Sequence, residues 1–221
     1  MHGNPIPRKT LLSQLIASLL ILGAGSVYAD DIRSLPPVEV VSRYSLLGSA
    51  DSANEGAVGQ AQIDNRVVAR TGEVLEVVPG LIVSQHSGEG KANQYFLRGF
   101  NLDHGLDFKI SLDGMPVNQR SHAHGQGWAD LNPLIPELIS AINYRKGPYY
   151  ASEGDFANAG SANIYYTDTV DRGVASFGLG QSGFYRTLLA DSPKFHNGNL
   201  LYALELSHYD GPWDKPDNYN K

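Results

Sequence analysis

Cysteine is absent from the 221-residue sequence, and positive charge is scarce. Without cysteine, neither a disulfide framework nor thiolate chemistry can operate, so the fold must be stabilised by the burial of apolar surface. The 17 Lys and Arg are outnumbered by 23 Asp and Glu, which gives a net charge of −6. Nucleic-acid binding needs clustered Lys and Arg to displace phosphate counterions. The acidic balance therefore excludes nucleic acid as a partner.

Sequence signatures of enzymes are also lacking. The chain contains no hydrolase elbow, phosphate-binding loop or His-Glu-x-x-His zinc motif. Gly178-Leu-Gly180-Gln-Ser-Gly183 does match the dinucleotide-binding pattern. That fingerprint requires a helix to open at its third glycine, whereas Phe184-Tyr185-Arg186-Thr187 is predicted to be a strand. We therefore predict that the protein is not an enzyme and holds no resident cofactor.

Residues 1–29 have the pattern of a secretory signal peptide. Arg8 and Lys9 precede an apolar stretch from Leu11 to Gly25, and Val27-Tyr28-Ala29 resembles the end of a cleavage site. The apolar stretch is shorter than the roughly 20 residues that a membrane span needs. We expect cleavage after Ala29 and export of the remainder; an uncleaved N-terminal anchor is the less favoured alternative.

Residues 30–64 are predicted to be a mobile leader, because Ser, Gly, Ala and Asn are frequent there and apolar residues are sparse. One β-prone island interrupts the leader. Pro36-Pro37 holds the backbone extended, and Val38-Glu39-Val40-Val41-Ser42 follows. From the residues alone, two interpretations stay open: a linker that contains valines, or a segment that adds as a strand to the sheet edge of a partner.

Residues 65–167 are predicted to form a compact α+β unit, a small mixed sheet with short helices. Thr71 is the predicted N-cap of a helix that Pro79-Gly80 ends, and a second, short helix starts at Pro136. Asp113-Gly114 predicts a two-residue hairpin, because glycine accepts a positive φ. The predicted strands are Leu81–Val83, Tyr95–Arg98, Phe108–Leu112, Ile142–Arg145 and Ala162–Tyr166.

Residues 168–221 are predicted to be antiparallel strands with one apolar face. Leu200, Tyr202, Leu204 and Leu206 share one face, while Ala203, Glu205 and Ser207 share the other. Shorter or noisier versions of the pattern occur at Ala175–Leu179 and Tyr185–Ala190, with a turn at Lys194–Asn199. The pattern does not define two complete hairpins. A transmembrane barrel and a soluble antiparallel sheet would both show this alternation.

Seven short motifs, in order along residues 65–165, carry a resemblance to a known family. They are Thr71-Gly72-Glu73-Val74-Leu75 to Val78-Pro79-Gly80, Leu97-Arg98-Gly99-Phe100, Leu112-Asp113-Gly114-Met115-Pro116-Val117-Asn118, Asp130-Leu131-Asn132, Ile135-Pro136-Glu137, Tyr144-Arg145-Lys146-Gly147-Pro148 and Gly160-Ser161-Ala162-Asn163-Ile164. Together they resemble the plug domain of TonB-dependent outer-membrane receptors. The resemblance implies an α+β plug domain followed by the first antiparallel strands of a truncated transmembrane β-barrel, whose remainder lies beyond Lys221.

The resemblance also implies a function. The protein is expected to be an outer-membrane receptor for TonB-energised uptake of a scarce ligand, with the plug gating the barrel and residues 38–42 acting as the TonB box. A TonB-type energy-coupling protein would bind that box by strand addition, and outer-membrane lipid would surround the barrel. The alternatives are a secreted plug-like binding module without a barrel and a non-functional truncated gene product.

Structural roles within the plug are expected for Arg98, Asp113, Gly114 and Glu137, with the charges of Arg98 and Glu137 at the boundary of the plug with its core or with the barrel. Siderophores, haem, cobalamin, carbohydrates and metal ions all enter through this architecture. The sequence does not choose among them.

One loop is a candidate ligand contact. It runs from Ser121 to Trp128, and its ligand-facing residues are predicted to be His122, His124, Gln126 and Trp128. Two histidines two apart project to the same side of an extended chain, as metal ligands often do, which suggests zinc, nickel or copper as a transported ligand. His86, His104, Asp103 and Asp107 are the candidate third partners. Contact with the barrel wall or with an organic ligand explains the same residues equally well.

Overall fold

The computed structural model describes residues 48–85 and 88–221, which belong to one compact unit, Val41–Lys221. The predicted signal peptide, the segment Val38–Ser42 and His86 lie outside the described residues. The elements follow in this order: β1 (Ser49–Ala50), β2 (Glu55–Gly59), helix α1 (Gln60–Asp64), the 3₁₀ helix Thr71–Val77, β3 (Leu81–Ser84), β4 (Gln94–Leu97), β5 (Phe100–Asn101), β6 (Phe108–Leu112), β7 (Met115–Pro116), the 3₁₀ helix Pro136–Leu138, β8 (Ile139–Lys146), the 3₁₀ helix Ala151–Glu153, β9 (Gly160–Tyr166), β10 (Val174–Leu179), β11 (Tyr185–Asp191), β12 (Lys194–Phe195), β13 (Gly198–Asn199), β14 (Tyr202–Tyr209) and β15 (Tyr219–Asn220).

The described residues from 48 to 167 form a unit built on a mixed sheet, here named the mixed-sheet unit. Its main sheet has the strand order β1-β2-β8-β9-β6-β7, in which β6 and β9 are parallel and the other neighbours antiparallel. A smaller antiparallel sheet, β3-β4-β5, packs its buried residues into the same core. The fully buried side chains at the centre include Tyr95, Phe108, Ile110, Ile142 and Ile164. This is the predicted α+β architecture.

The structure differs from the predicted leader at its C-terminal end. Strand β2 and helix α1 fall within residues 30–64, and β2 pairs with β8 over five residues from Glu55 to Gly59. Its sequence, Glu-Gly-Ala-Val-Gly, contains no run of β-branched residues that would mark a strand. Its position in the sheet follows from pairing with the longer β8, a tertiary contact that local propensity does not reveal.

Two of the family motifs are tight hairpins. Arg98 and Gly99 connect β4 to β5 with φ of 53° and 80°, and Asp113 and Gly114 connect β6 to β7 with φ of 48° and 80°. Positive φ at both central residues is the geometry of the type I′ turn, whose twist matches that of the flanking strands. The hairpin at Asp113-Gly114 is confirmed. The strand predicted to run through Arg98 ends one residue earlier, at Leu97.

The helix expected near Thr71 is a 3₁₀ helix, and its cap is not Thr71. The backbone amides of Ala69 and Arg70 donate to the Glu73 carboxylate at 2.9 and 3.1 Å. A carboxylate in the first turn therefore satisfies the amides of the N-cap residue, Arg70, and of the residue before it, which is the reciprocal contact of a capping box. The segment ends at Pro79-Gly80 as predicted, where Gly80 has a φ of 86°.

The C-terminal residues form a second antiparallel sheet with the order β10-β11-β14-β15, here named the meander. β10 pairs with β11 over six residues and β11 with β14 over seven, so complete hairpins are present where the sequence pattern did not define them. The reason is that Arg186 lies on the same face of β11 as the apolar residues Leu188 and Ala190. This cation interrupts the apolar face and obscures the period of two in the sequence. No helix among the described residues is long and apolar enough to cross a membrane.

The two faces of the meander differ in exposure. Phe177, Leu179, Leu189, Leu204 and Leu206 lie exposed on one face, while Leu188 and Ala190 are buried on the other. The buried face also carries Arg186, Glu205 and Ser207, and it is turned toward the mixed-sheet unit because Arg186 contacts Glu137 there. The alternation of Leu204 and Leu206 with Glu205 is the one predicted from the sequence.

Candidate functional site

Asn118 fixes the start of the candidate ligand loop. Its buried side chain accepts a hydrogen bond from the Ile110 amide at 2.6 Å and donates to the carbonyls of Gly105, Phe108 and Gly127 at 2.9–3.1 Å. Across the neck of the loop, the Gln119 amide donates to the Trp128 carbonyl at 2.9 Å and the Gly127 amide donates to the Gln119 carbonyl at 2.8 Å. The residues between them are held as a closed loop on a rigid base.

Three histidine rings surround Trp128. The His122 ring stacks on the indole with centroids 4.3 Å apart and planes 14° apart, and the rings of His104 and His124 lie 4.7 and 5.1 Å from it. Trp128 is consequently 7% exposed, although it belongs to a loop. The Nδ1 atom of His122 accepts a hydrogen bond from the His124 amide at 3.1 Å. His122 and Trp128 thus shape the loop as well as lining it.

His104 is the candidate third partner that the structure brings to this cluster. Its ring lies 4.8 Å from that of His124, and its Nδ1 points to the carbonyl of Ala92 at 2.8 Å. A carbonyl can only accept, so Nδ1 carries the proton in the neutral ring. Nε2 lies 3.7 Å from a carboxylate oxygen of Asp103.

Asp107, another candidate third partner, accepts a hydrogen bond from Asn158 at 2.7 Å. Gln126, which was predicted to face the ligand, is exposed at the loop surface. Across residues 48–85 and 88–221, no three His, Cys, Asp or Glu side chains are grouped so that they could hold a metal ion. Metal binding by His122 and His124 stays a prediction.

Glu137 lies where the mixed-sheet unit meets the meander. Its carboxylate forms a bidentate pair with the guanidinium of Arg186 on β11, and Arg186 Nε also donates to Glu205 on β14 at 3.0 Å. Lys221 Nζ donates to the other oxygen of Glu205 at 2.9 Å and to the carbonyl of Leu134 at 2.6 Å. Charges of alternating sign therefore connect residues 134–137 to two strands of the meander.

Despite partial burial, the neighbouring cations lower the pKa of the Glu137 carboxyl. Partial burial alone would raise the pKa of its carboxyl, but hydrogen bonds from Arg186 and the charges of Arg186 and Lys221 outweigh burial and lower the pKa. Burial and the charge of Glu137 raise the pKa of the nearby Asp64 carboxyl. Glu137 is thus held as an anion in front of Arg186.

The other predicted structural residues act within the mixed-sheet unit. Arg98 donates to the side-chain oxygen of Asn54 at 2.8 Å and so ties the β4–β5 hairpin to the segment before β2. The Asp113 carboxylate accepts from the Tyr166 amide at 3.1 Å, which closes the β6–β7 hairpin onto β9. Gly114 meets no atom within 4 Å of where a Cβ would stand, so its role there is conformational.

An ionic cleft of about 720 Å³ runs between the mixed-sheet unit and the meander. Its walls include residues 63–71 and 136–137 on one side and Arg186, Glu205 and Ser207 on the other. At its rim, Asp217 accepts hydrogen bonds from the Glu89 amide at 3.1 Å and from the Trp213 indole at 3.0 Å. A Cβ on Gly88 would lie 2.3 Å from a carboxylate oxygen of Asp217, so a larger residue at position 88 would displace the Asp217 side chain.

The sequence does not mark Arg186 or Asn118 as site residues: Arg186 fits the predicted strand Tyr185–Ala190, and Asn118 ends a family motif. A basic residue near the start of a strand that is otherwise apolar on that face is the available signal for Arg186. Its partner Glu137 lies 49 residues away in the chain, so their pairing could not be inferred from spacing.

The fold and the site define a class of protein in which a mixed-sheet unit packs on one face of an antiparallel sheet whose opposite face is apolar and exposed. A sequence model of the family described as TonB-dependent Receptor Plug Domain matches residues 31–161. This match spans more than half of the chain. The chain belongs to the TonB-dependent receptor plug-domain family, and the mixed-sheet unit is called the plug from here on.

Individual relatives agree with this assignment. The chain is 27% identical over 197 residues to the vitamin B12 transporter BtuB of Vibrio vulnificus strain CMCP6, an alignment that covers 88% of this chain and 31% of the transporter. The chain therefore spans well under half the length of this curated relative.

Solved structures of receptors share the fold. The ferric yersiniabactin uptake receptor FyuA from Yersinia pestis matches with a TM-score of 0.56 and 20% identity, over 77% of this chain and 27% of FyuA. The copper transporter OprC matches with a TM-score of 0.54 and 18% identity, over 75% of this chain and 25% of OprC. At such identities the likeness establishes the fold alone. The predicted fold class, a plug followed by antiparallel barrel strands, is confirmed.

Proposed function

We propose that the protein is an outer-membrane receptor that takes up a scarce small nutrient by energised movement of its plug. The observation that carries this proposal is the packing of a family plug against the inner face of the meander, where Arg186 lies. The opposite face, with Phe177, Leu204 and Leu206, is left apolar and exposed. An apolar outer face is what a strand needs in lipid, and closure of such strands into a barrel satisfies their backbone groups.

Export and energy coupling belong to the same proposal. The signal peptide at residues 1–29 sends the chain across the inner membrane, and the leader from residue 30 to about residue 64 carries the box at Val38–Ser42. A periplasmic energy-coupling protein of the TonB type adds that box as a strand to its own sheet and pulls on it. Force on the box reaches the plug through β1 and β2, the first strands of its main sheet.

The ligand is proposed to contact the loop Ser121–Trp128 from outside the cell. Support comes from the position of His124 and Gln126 at the surface of a loop whose base is held by Asn118. Vitamin B12, ferric siderophores and copper, the ligands named for the related proteins, are the classes to test first. Among these, imidazole groups suit copper, and they would equally suit zinc or nickel.

A pair of substitutions in the box tests energised uptake. Val40→Pro removes a backbone N–H that strand addition needs, whereas Val40→Thr keeps the N–H and the β-branched shape. In cells that carry the gene as the sole receptor of its kind, uptake of labelled cyanocobalamin, ferric enterobactin, Cu²⁺ and Zn²⁺ is measured for both variants. Uptake of one probe that Val40→Pro abolishes and Val40→Thr retains supports the proposal. Equal uptake of every probe by the two variants and by cells without the gene contradicts it.

A further inference from the structure

Arg186 is the centre of a chain of four charges that crosses from the plug to the meander. The order is Glu137, Arg186, Glu205 and Lys221, with contacts of 2.9–3.0 Å along its length. The signs alternate, so each inner member has an oppositely charged neighbour on both sides. We propose that this chain is an ionic latch that holds the plug in place and that Arg186 is its positioning residue. The proposal rests on the proposed function, because only a plug that moves needs a latch.

Burial within the latch is graded. The Glu205 side chain is 6% exposed, those of Lys221 and Arg186 are 16% and 25%, and that of Glu137 is 40%. The anchored end is therefore in the meander and the hydrated end on the plug. A buried carboxylate that loses a partner is strongly destabilised, whereas an exposed ion pair exchanges readily with water. Separation is consequently easiest between Arg186 and Glu137, the ion pair of the latch that joins the plug to the meander.

The latch binds a part of the plug that can transmit movement. Glu137 lies in the 3₁₀ helix Pro136–Leu138, which runs directly into β8, and β8 lies between β2 and β9 in the main sheet. Lys221 holds the carbonyl of Leu134, so the segment is tied at both ends. Displacement of β2 by force on the leader would act on β8 and, through it, on Glu137.

The ionic cleft makes the latch reversible. Glu137, Arg186, Glu205 and Lys221 all line it. Water in the cleft can solvate Glu137 and Arg186 as they part, which lowers the cost of opening relative to a dry interface. When Glu137 moves away with the plug, Arg186 stays paired with Glu205 in the meander. The guanidinium is therefore still in position to bind Glu137 when the plug returns.

The absence of cysteine allows a direct test in the whole chain. Leu188 is fully buried on the same face of β11 as Arg186, two residues along, so a Leu188→Cys thiol reports opening of the interface through its rate of reaction with a maleimide. A second reporter, Ala162→Cys, lies fully buried in β9 within the plug and reports unfolding of the plug itself. Each reporter is combined with Glu137→Gln, Arg186→Gln, both together, and Arg186→Lys.

The latch predicts that Glu137→Gln and Arg186→Gln each accelerate labelling at position 188 at least tenfold, and that the double variant is no faster than the faster single one, since both remove the same contact. Arg186→Lys should give an intermediate rate, because an ammonium keeps the charge but not the bidentate geometry. Asp155→Asn, which removes the exposed pair of Arg120 and Asp155, is the matched control and should change the rate less than twofold.

Two results would overturn the latch. One is a labelling rate at position 188 that changes less than twofold in Glu137→Gln and Arg186→Gln. The other is equal acceleration at positions 188 and 162, which would mean that the substitutions unfold the plug rather than release it. Neither result bears on the uptake of nutrients measured with the Val40 variants, so failure of the latch and failure of the proposed function are distinguishable.

Discussion

The imidazole of His122 lies flat on the indole of Trp128, with centroids 4.3 Å apart and planes 14° apart. Stacking of this kind contributes about 0.5–1.5 kcal/mol beyond the burial of area. Because the two residues sit at opposite parts of one loop, the stack also determines the shape that the loop presents.

Removal of this stack should loosen the loop without unfolding the plug. In a Trp213→Phe background, Trp128 is the only tryptophan left, since the chain has two. His122→Ala should raise the quenching of its fluorescence by acrylamide at least twofold, because one face of the indole is uncovered. His196→Ala, which removes a histidine at positive φ in the β12–β13 turn, is the control and should leave quenching unchanged. Unchanged quenching in His122→Ala would show that the stack does not shield Trp128.

The metal prediction is tested by calorimetric titration of the whole chain with Zn²⁺, Ni²⁺ and Cu²⁺. If His122 and His124 are ligands, the binding heat of the parent chain vanishes in the His122→Ala, His124→Ala double variant. His196→Ala and His208→Ala, taken together, control for adventitious binding by surface histidines. Heat that is absent, or that is the same in parent and double variant, would exclude metal binding by this loop in the isolated chain.

Acid should weaken the plug through Glu153, whose carboxylate accepts hydrogen bonds from Lys109 at 2.9 Å and Arg145 at 2.7 Å. Burial alone would raise the pKa of Glu153, but these two cations lower it below the usual value. A depressed folded-state pKa gives stability that is present above the unfolded-state pKa, about 4.3, and is lost as the pH falls through the folded-state pKa.

Glu153→Gln should therefore lower the free energy of unfolding by about 2 kcal/mol at pH 7 and flatten its decline below about pH 4.5. Urea unfolding of the whole chain at a series of pH values measures both effects. Asp155→Asn, at an exposed pair, should shift the curve by less than about 0.5 kcal/mol. Parallel curves for the parent and Glu153→Gln would mean that Glu153 does not carry the acid sensitivity.

The hairpin glycine at position 114 offers a backbone test. Gly114 has a φ of 80° and open space around the Cβ position, so Gly114→Ala should cost about 1 kcal/mol from backbone conformation alone. Gly198→Ala is the matched control, because it also meets no atom within 4 Å and its φ is not positive. Urea unfolding should place the Gly198 variant within about 0.5 kcal/mol of the parent. Equal costs at the two positions would contradict the conformational explanation.

Local signals were sufficient to predict much of the fold. Asp113-Gly114 predicts a hairpin because the two residues tolerate the required positive φ. Leu204 and Leu206 predict a strand because they alternate with Glu205. Leu81–Val83 is apolar and bounded by Pro79-Gly80, which marks a buried strand at its start. In each case the property that determines the structure is carried by residues close together in the sequence.

Features that depend on distant pairing were not predictable in this way. Strand β2 consists of small residues and exists because β8 pairs with it. The approach of His104 to His124 depends on the β6–β7 hairpin and on the carbonyl of Ala92 that orients His104. Arg186 pairs with Glu137 only because the meander packs on the plug. The candidate site is built from such long-range contacts, so it was less predictable from the sequence than the fold that supports it.

If the meander faces lipid on one side and the plug on the other, spin labels along β14 should alternate in their accessibility. Single cysteines at positions 202 to 207 are labelled in outer-membrane vesicles from cells that express the gene. Labels at 202, 204 and 206 should be accessible to dissolved oxygen, which concentrates in lipid, while labels at 203, 205 and 207 should not. Equal access of a water-soluble nickel chelate to both sets, with no period of two, would contradict it.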